Sequence, residues 1–132
     1  MRRLLTPPYE ALRLLVSFVM SPRNKDEKSH VLMFIDITRA HPHCTMRRQV
    51  WVELPAEDPR SKEEGVCGLL LRSIFGLRDA GMNFEMLTRQ VMDKLDFNCG
   101  LWTPCVFVHR EKNMQAHVFC DNFVIKEVRR EL

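Results

Sequence analysis

Val31-Leu32-Met33-Phe34-Ile35-Asp36 and, about eighty-five positions further on, Phe119-Cys120-Asp121-Asn122 are the stretches on which the reading of this chain turns. The first is a continuous apolar run between polar flanks. That is the pattern of a strand buried on both faces, although so short a run cannot be told from a helix by period alone. Asp36 then stands at the C-terminal end of the run. The second stretch reads as a tight connection at Asp121-Asn122 between strands over 116–120 and 123–126, because Asp and Asn tolerate the backbone angles such turns require. A rigid strand end can hold carboxylate oxygens against a divalent cation while the strand behind it stays dry. Taken one at a time, Asp36 also reads as a cap or turn residue, and Asp121-Asn122 as ordinary hairpin chemistry.

Working outward, Pro7-Pro8 is followed by Glu10, Leu12, Leu14, Leu15, Phe18 and Val19. Proline at the start, an acid in the first turn and helical spacing of the leucines predict a helix over about 9–20, ending near Ser21-Pro22. Residues 21–30 are charged and turn-rich, as are 56–65, and both are expected to be solvated loops. Between them, Gln49 to Leu54 alternates Val50, Val52 and Leu54 with Trp51 and Glu53, a strand closed by Pro55. Phe84, Leu87, Val91 and Leu95 recur at three- and four-residue spacing and predict a helix over 83–97. Val106 to His109 is the first of three C-terminal strands, joined to the next through Glu111-Lys112-Asn113.

Composition narrows the class. A chain of 132 residues, 45% hydrophobic, is sized for one core, so a single domain over 1–132 is expected. Twenty basic against 17 acidic residues leave a formal charge of +3, too mild for the clustered basic face of a free-standing nucleic-acid binder but compatible with a polyanionic partner. The five cysteines are scattered without a CxxC pair, which excludes a zinc ribbon and a disulfide framework and points to a reducing intracellular compartment, cytoplasmic or nuclear. Glu10 and Arg13 interrupt what would have to be a signal core, and no stretch approaches the roughly twenty apolar residues of a membrane span. His41, His43 and Cys44 are zinc-ligand types, but three ligands within four residues make poor tetrahedral geometry. Met82, Met86 and Met92 are expected in the core.

In order along the chain, these segments resemble the reverse transcriptase of copia-type retrotransposons. The family's helix before its first catalytic strand is similar to Thr6-Pro7-Pro8-Tyr9-Glu10-Ala11-Leu12-Arg13-Leu14-Leu15. Its first catalytic motif resembles Asp36-Ile37-Thr38-Arg39-Ala40-His41, and the next strand Val50-Trp51-Val52-Glu53-Leu54-Pro55. Ser73-Ile74-Phe75-Gly76-Leu77-Arg78-Asp79-Ala80 is similar to its serine-leucine-tyrosine-glycine-leucine stretch, with Phe84 where the family has tryptophan. Thr103-Pro104-Cys105-Val106-Phe107-Val108 resembles its proline-cysteine strand. Phe119-Cys120-Asp121-Asn122 stands where the family has tyrosine, any residue and two aspartates.

The resemblance implies an α+β fold: a partial fingers and palm domain, with a short, mostly antiparallel sheet and helices packed on one face. It implies an RNA-directed DNA polymerase acting by two-metal nucleotidyl transfer on an RNA or DNA template with primer and deoxynucleotides, without a membrane partner. Carried over residue by residue, Asp36 and Asp121 are the metal-binding catalytic carboxylates, assisted by the backbone carbonyl of Ile37, with Mg2+ or Mn2+ as the ion. Arg39, Ala40 and His41 fall at the triphosphate and sugar, and Asp79 near the incoming nucleotide, though Asp79 also reads as a helix N-cap. Asn122 departs from the family's second aspartate and removes a negative charge, while His41 replaces an aromatic ring used in sugar discrimination. The fingers hairpin would precede Thr6, and the thumb, connection and ribonuclease H segments would follow Ile125. Complementing polyprotein segments are therefore expected for full activity, with weak or no processive extension by this chain. The alternative is a non-catalytic retroelement remnant with weak nucleic-acid or protein binding.

Overall fold

Helical spacing of apolar residues produces a helix at both expected places. The protein is described by a computed structural model covering residues 9–21 and 29–128. The proline start of the first helix and most of the first charged loop lie outside the described residues. Helix α1 spans Tyr9–Met20 with Glu10 in its first turn, and α2 spans Ala80–Lys94 with Lys94 in its last, both favourable to the helix dipole. The strands are β1 His30–Asp36, β2 Trp51–Val52, β3 Gly68–Leu69, β4 Asn98–Cys99, β5 Val106–His109, β6 Met114–Phe119 and β7 Asn122–Val128. Five of them form one antiparallel sheet in the order β1-β7-β6-β5-β4, and β2 pairs with β3 separately. The fold is mixed α+β, as expected, with an antiparallel sheet.

The chain divides into two compact units, one made of the segments up to Thr38 and from Glu85 onward, the other of Arg39–Phe84. In the first, period-two alternation gives the sheet two apolar faces. On one, Met92 of α2 packs with Phe97, Phe107, Ala116 and Val118, flanked by Met114, Phe123 and Ile125. On the other, the Lys126 ammonium lies 4.9 Å from the Phe18 ring of α1, and the Phe18 and His30 rings meet edge-on at 5.7 Å. A groove of about 580 Å³ between Leu14, Leu15 and Phe18 on the helix and Val106, Gln115 and His117 on the sheet belongs to that same face. The two helices therefore cover opposite faces of the sheet, correcting the expectation that both pack on one. The cause is that β5, β6 and β7 carry apolar side chains on both faces, and each must be screened from water.

The apolar run at 31–35 also proves less buried than its composition suggests. Among the described residues β1 pairs with β7 alone and forms an edge of the sheet, leaving Phe34 71% and Met33 46% exposed. At the hairpin the connecting residues are Cys120 and Asp121, and Asn122 already belongs to β7. Cys120, at φ 51°, takes the left-handed conformation there. The strand expected over 49–54 is confined to Trp51–Val52. The second charged loop contains a 3-10 turn at Pro59–Lys62, capped by the Asp58 carboxylate, which accepts from the Arg60 N–H at 3.0 Å.

In the second unit, Ala40, Cys44, Ser73, Ala80, Asn83 and Phe84 are buried. The Asn83 Nδ2 donates to Ser73 Oγ at 2.9 Å, tying α2 to the segment that precedes it. The Met46 N–H donates to Leu71 O and the Leu70 N–H to Val50 O, so Arg47, Arg48 and Gln49 are looped out of the ladder between those two bonds.

Two expected outcomes follow from this packing. Phe107, only 3% exposed at the centre of the core, makes Phe107→Ala cost about 3–5 kcal/mol of unfolding free energy, measurable by urea titration. His117 is 97% buried with neither ring nitrogen hydrogen-bonded, and burial pushes its imidazole below the ordinary value of about 6.5. The unfolded chain then binds the proton first, so this contribution to stability is complete above that value and is lost as pH falls below it. Urea midpoints taken across pH 7.5 to 5 should fall for the native chain and flatten in His117→Val.

Candidate functional site

The end of β1 and the turn before β7 come together because one antiparallel ladder joins them. Its register sets Asp36 opposite Asn122 and continues back to His30 opposite Val128. One residue beyond, the Ile37 N–H donates to the Asp121 carbonyl at 3.0 Å. That bond makes Ile37 and Asp121 a hydrogen-bonded pair, so Asp36 and Asn122 form the intervening non-hydrogen-bonded pair, whose side chains approach more closely. The Asn122 amide donates to Asp121 Oδ1 at 3.0 Å. The result is a short chain of polar groups at the sheet edge: the Asp36 carboxylate across the ladder from the Asn122 amide, and that amide bonded to the Asp121 carboxylate. Asp36 and Asn122 are exposed and Asp121 is half-buried, so all three are open to a solute.

Two carboxylates at one strand end can bind a divalent cation, with the remaining positions filled by water or phosphate oxygens. Among the described residues, no group of three or more His, Cys, Asp and Glu side chains gathers as a metal-ligand set. Asp36 and Asp121 by themselves would leave most positions around such a cation to oxygens from water or the ligand. The same observation applies to His41, His43 and Cys44. Cys44 is buried, its Sγ directed at the Ala40 carbonyl 3.7 Å away, and burial raises its pKa, which keeps the thiol protonated.

Arg39, Ala40, His41 and Asp79 lie in the second unit. Arg39 adopts φ 54°, a left-handed conformation uncommon outside glycine, Asn and Asp, at the point where the chain leaves the sheet. Ala40 is almost completely buried and heads the 3-10 turn His41–His43. The His41 ring lies 4.5 Å from that of Phe75 and 6.3 Å from that of Phe84, a small aromatic cluster. Asp79 directly precedes α2, and its backbone carbonyl accepts from the Asn83 N–H at 2.9 Å. Its carboxylate is gripped by both arms of the Arg48 guanidinium, Nε to Oδ2 and Nη2 to Oδ1, each at 3.0 Å. This bidentate bond holds the Asp79 carboxyl below its ordinary value. Arg48 had no signal in the sequence, because it reaches Asp79 from thirty-one positions away out of the looped residues 47–49.

No protein-family model, curated protein or solved structure matches the chain. Among the described residues, no helix is long and apolar enough to cross a membrane.

The geometry makes Asn122 a sensitive position. Asn122→Asp places a second carboxylate directly across from Asp36, where like charges oppose the pairing, and should lower the thermal midpoint in EDTA by about 1–5 °C. Millimolar Mn2+ should restore the loss, and the Asp36→Asn/Asn122→Asp double variant should keep only the smaller part that comes from the broken Asn122–Asp121 bond, with a weaker Mn2+ effect. Asp79→Asn tests the second unit. Because the folded carboxyl titrates lower than the unfolded one, its stabilisation is present above about pH 4 and disappears as pH falls through the folded value. The gap in thermal midpoint between native chain and variant should therefore be present at pH 7 and narrow toward pH 3.

Proposed function

We propose that this chain is a palm element of a copia-type RNA-directed DNA polymerase whose divalent-metal site is built on Asp36 and Asp121 and weakened by Asn122. One observation carries the reading: the strand-end carboxylate Asp36 lies directly across the β1–β7 ladder from the turn that bears Asp121 and Asn122. These are the residues that the two motifs mark independently, and nothing local in the sequence requires their pairing. The antiparallel sheet on which they sit is the support such a site needs, since the ladder holds both carboxylate-bearing backbones in one register.

In this reading Asp36 and Asp121 would supply the two negative charges that hold Mg2+ or Mn2+, which would lend Lewis-acid chemistry to phosphoryl transfer. Asn122 keeps the shape of the family's second aspartate. Its amide donates to Asp121, spending part of that carboxylate's acceptor capacity within the protein. The resemblance would give Arg39 the triphosphate, whereas Ala40, buried at the head of the 3-10 turn, lines no surface that a triphosphate could reach. His41, in its aromatic cluster, would take the position next to the deoxyribose. Asp79 is engaged by Arg48 and would act on the incoming nucleotide only by giving up that partner, so its role as a helix-start anchor is the better supported. A template with primer and deoxynucleotides, complementing polyprotein segments and an intracellular setting belong to the same proposal.

The hydrogen bond from Asn122 to Asp121 also favours a second reading, a retroelement remnant in which that link serves the hairpin and no chemistry remains. Primer extension on poly(rA) with Mg2+ or Mn2+ separates the two. Lost charge worth about 3–5 kcal/mol of transition-state stabilisation predicts that Asn122→Asp raises the rate by roughly 100- to 5000-fold, and that Asp36→Ala abolishes it. Absence of extension in every version, together with no Mn2+ effect on the thermal midpoint of Asn122→Asp, would leave the remnant.

A further inference from the structure

β1 is a seven-residue edge strand with an unusual composition for an edge. It carries a single charged residue at its end, Asp36, and no proline or bulge. Edge strands that stay solitary are commonly short, charged, twisted away or covered, because their outward N–H and C=O groups otherwise template pairing with another strand. Here Val31 is 40%, Met33 46%, Phe34 71% and Ile35 37% exposed, so apolar surface is open on both faces of the same strand. Val31, Met33 and Ile35 continue the sheet face that carries Phe123 and Ile125, and among the described residues no element screens that face at β1.

The direction of the backbone groups decides what can pair with this edge. Because the Ile37 N–H donates to Asp121 O, the residues of the same parity, Ile35, Met33 and Val31, turn their backbone groups toward β7. Leu32, Phe34 and Asp36 turn theirs outward. A second β1 running antiparallel, with Met33 opposite the partner's Met33, matches outward groups with outward groups along the whole strand. It sets Leu32 opposite the partner's Phe34, Val31 opposite the partner's Ile35, and Asp36 opposite the partner's His30. Apolar side chains thus meet apolar side chains along the strand, and Asp36 falls at its outer end opposite the partner's first β1 residue rather than opposite an apolar one. Sliding the pairing by the two positions that preserve backbone matching, so that Phe34 meets its own copy, would set Asp36 against the partner's Leu32. Centring the pair on Met33 makes the strand self-complementary over its full length, as an isologous two-fold contact demands.

We propose that β1 is a homodimerisation edge, pairing antiparallel with β1 of a second copy about a two-fold axis at Met33 to give one sheet continuous across both chains. The contact is small, a single pair of strands, and belongs to the weak, concentration-dependent class of interfaces. It does not rest on the proposed metal chemistry, but it places a partner strand beside Asp36, so the contact and that site share one strand end.

Sedimentation velocity across the micromolar range tests it. The native chain should show a dimer whose fraction rises with concentration. Phe34→Pro removes an outward N–H without touching the β7 ladder, and Met33→Lys puts two ammonium groups together at the axis. Each should raise the dissociation constant at least about tenfold with an unchanged far-UV circular dichroism spectrum. The register is read separately. In a chain carrying Cys67→Ser, Cys99→Ser and Cys120→Ser, Met33→Cys should form a covalent dimer on mild oxidation, since a non-hydrogen-bonded pair brings the two positions within disulfide reach. A native chain that stays monomeric throughout, a dimer indifferent to both Phe34→Pro and Met33→Lys, or a Met33→Cys chain that does not cross-link would each overturn the proposal.

Discussion

The antiparallel ladder between β1 and β7 is the interaction on which the first unit depends. It joins seven consecutive residue pairs, from His30 opposite Val128 to Asp36 opposite Asn122, across roughly ninety positions of intervening chain. Closing so long a loop costs entropy that grows only slowly with its length, and the ladder offsets it with backbone hydrogen bonds and with apolar pairs such as Met33 against Ile125 and Phe34 against Val124. Once β1 is docked, β7 becomes an interior strand. Both faces of β5, β6 and β7 then need cover, and α1 and α2 supply it from opposite sides.

The same ladder sets the chemistry at its end. Period-two alternation puts Asp36 and Asn122 on one face, and the Asn122 amide draws the Asp121 carboxylate toward them. An amide at position 122, across the ladder from Asp36 and bonded to Asp121, avoids the like-charge repulsion that a carboxylate there would create. The sequence of this hairpin therefore favours stability of the edge over added negative charge at its end. In the second unit the corresponding tension is resolved differently: Asp79 is neutralised by Arg48, whose position outside the β2–β3 ladder lets its guanidinium reach the start of α2.

Buried histidine adds a further constraint. His117 occupies the α1 face of β6, opposite Val106 and Val124 in neighbouring strands, where a neutral imidazole packs as a flat, largely apolar ring. Its cost appears only when the ring is charged, which links the integrity of this face to proton concentration.

Much of the architecture was legible in short windows of sequence, because helical and extended periodicities are local properties. Leu12, Leu15 and Val19 mark α1, Phe84, Leu87 and Val91 mark α2, and the alternations of the three C-terminal strands lie within a residue or two of their observed limits. Asp36 at a strand end and Asp121 in a turn were legible for the same reason. Position within the sheet was not. The apolar run of β1 reads as a strand covered on both sides, yet it lies at an edge, since what covers a strand depends on neighbours drawn from distant parts of the chain. The two-residue strands β3 and β4 have too few positions to show a period, and the Arg48–Asp79 pair has no spacing to betray it. The sequence by itself determined which segments are helix or strand and where the carboxylates fall within them, through local periodicity and turn chemistry. Only the tertiary structure decided that Asp36 faces Asn122, that the helices take opposite sides, and that β1 is left open, because register and cover arise from pairing across long loops.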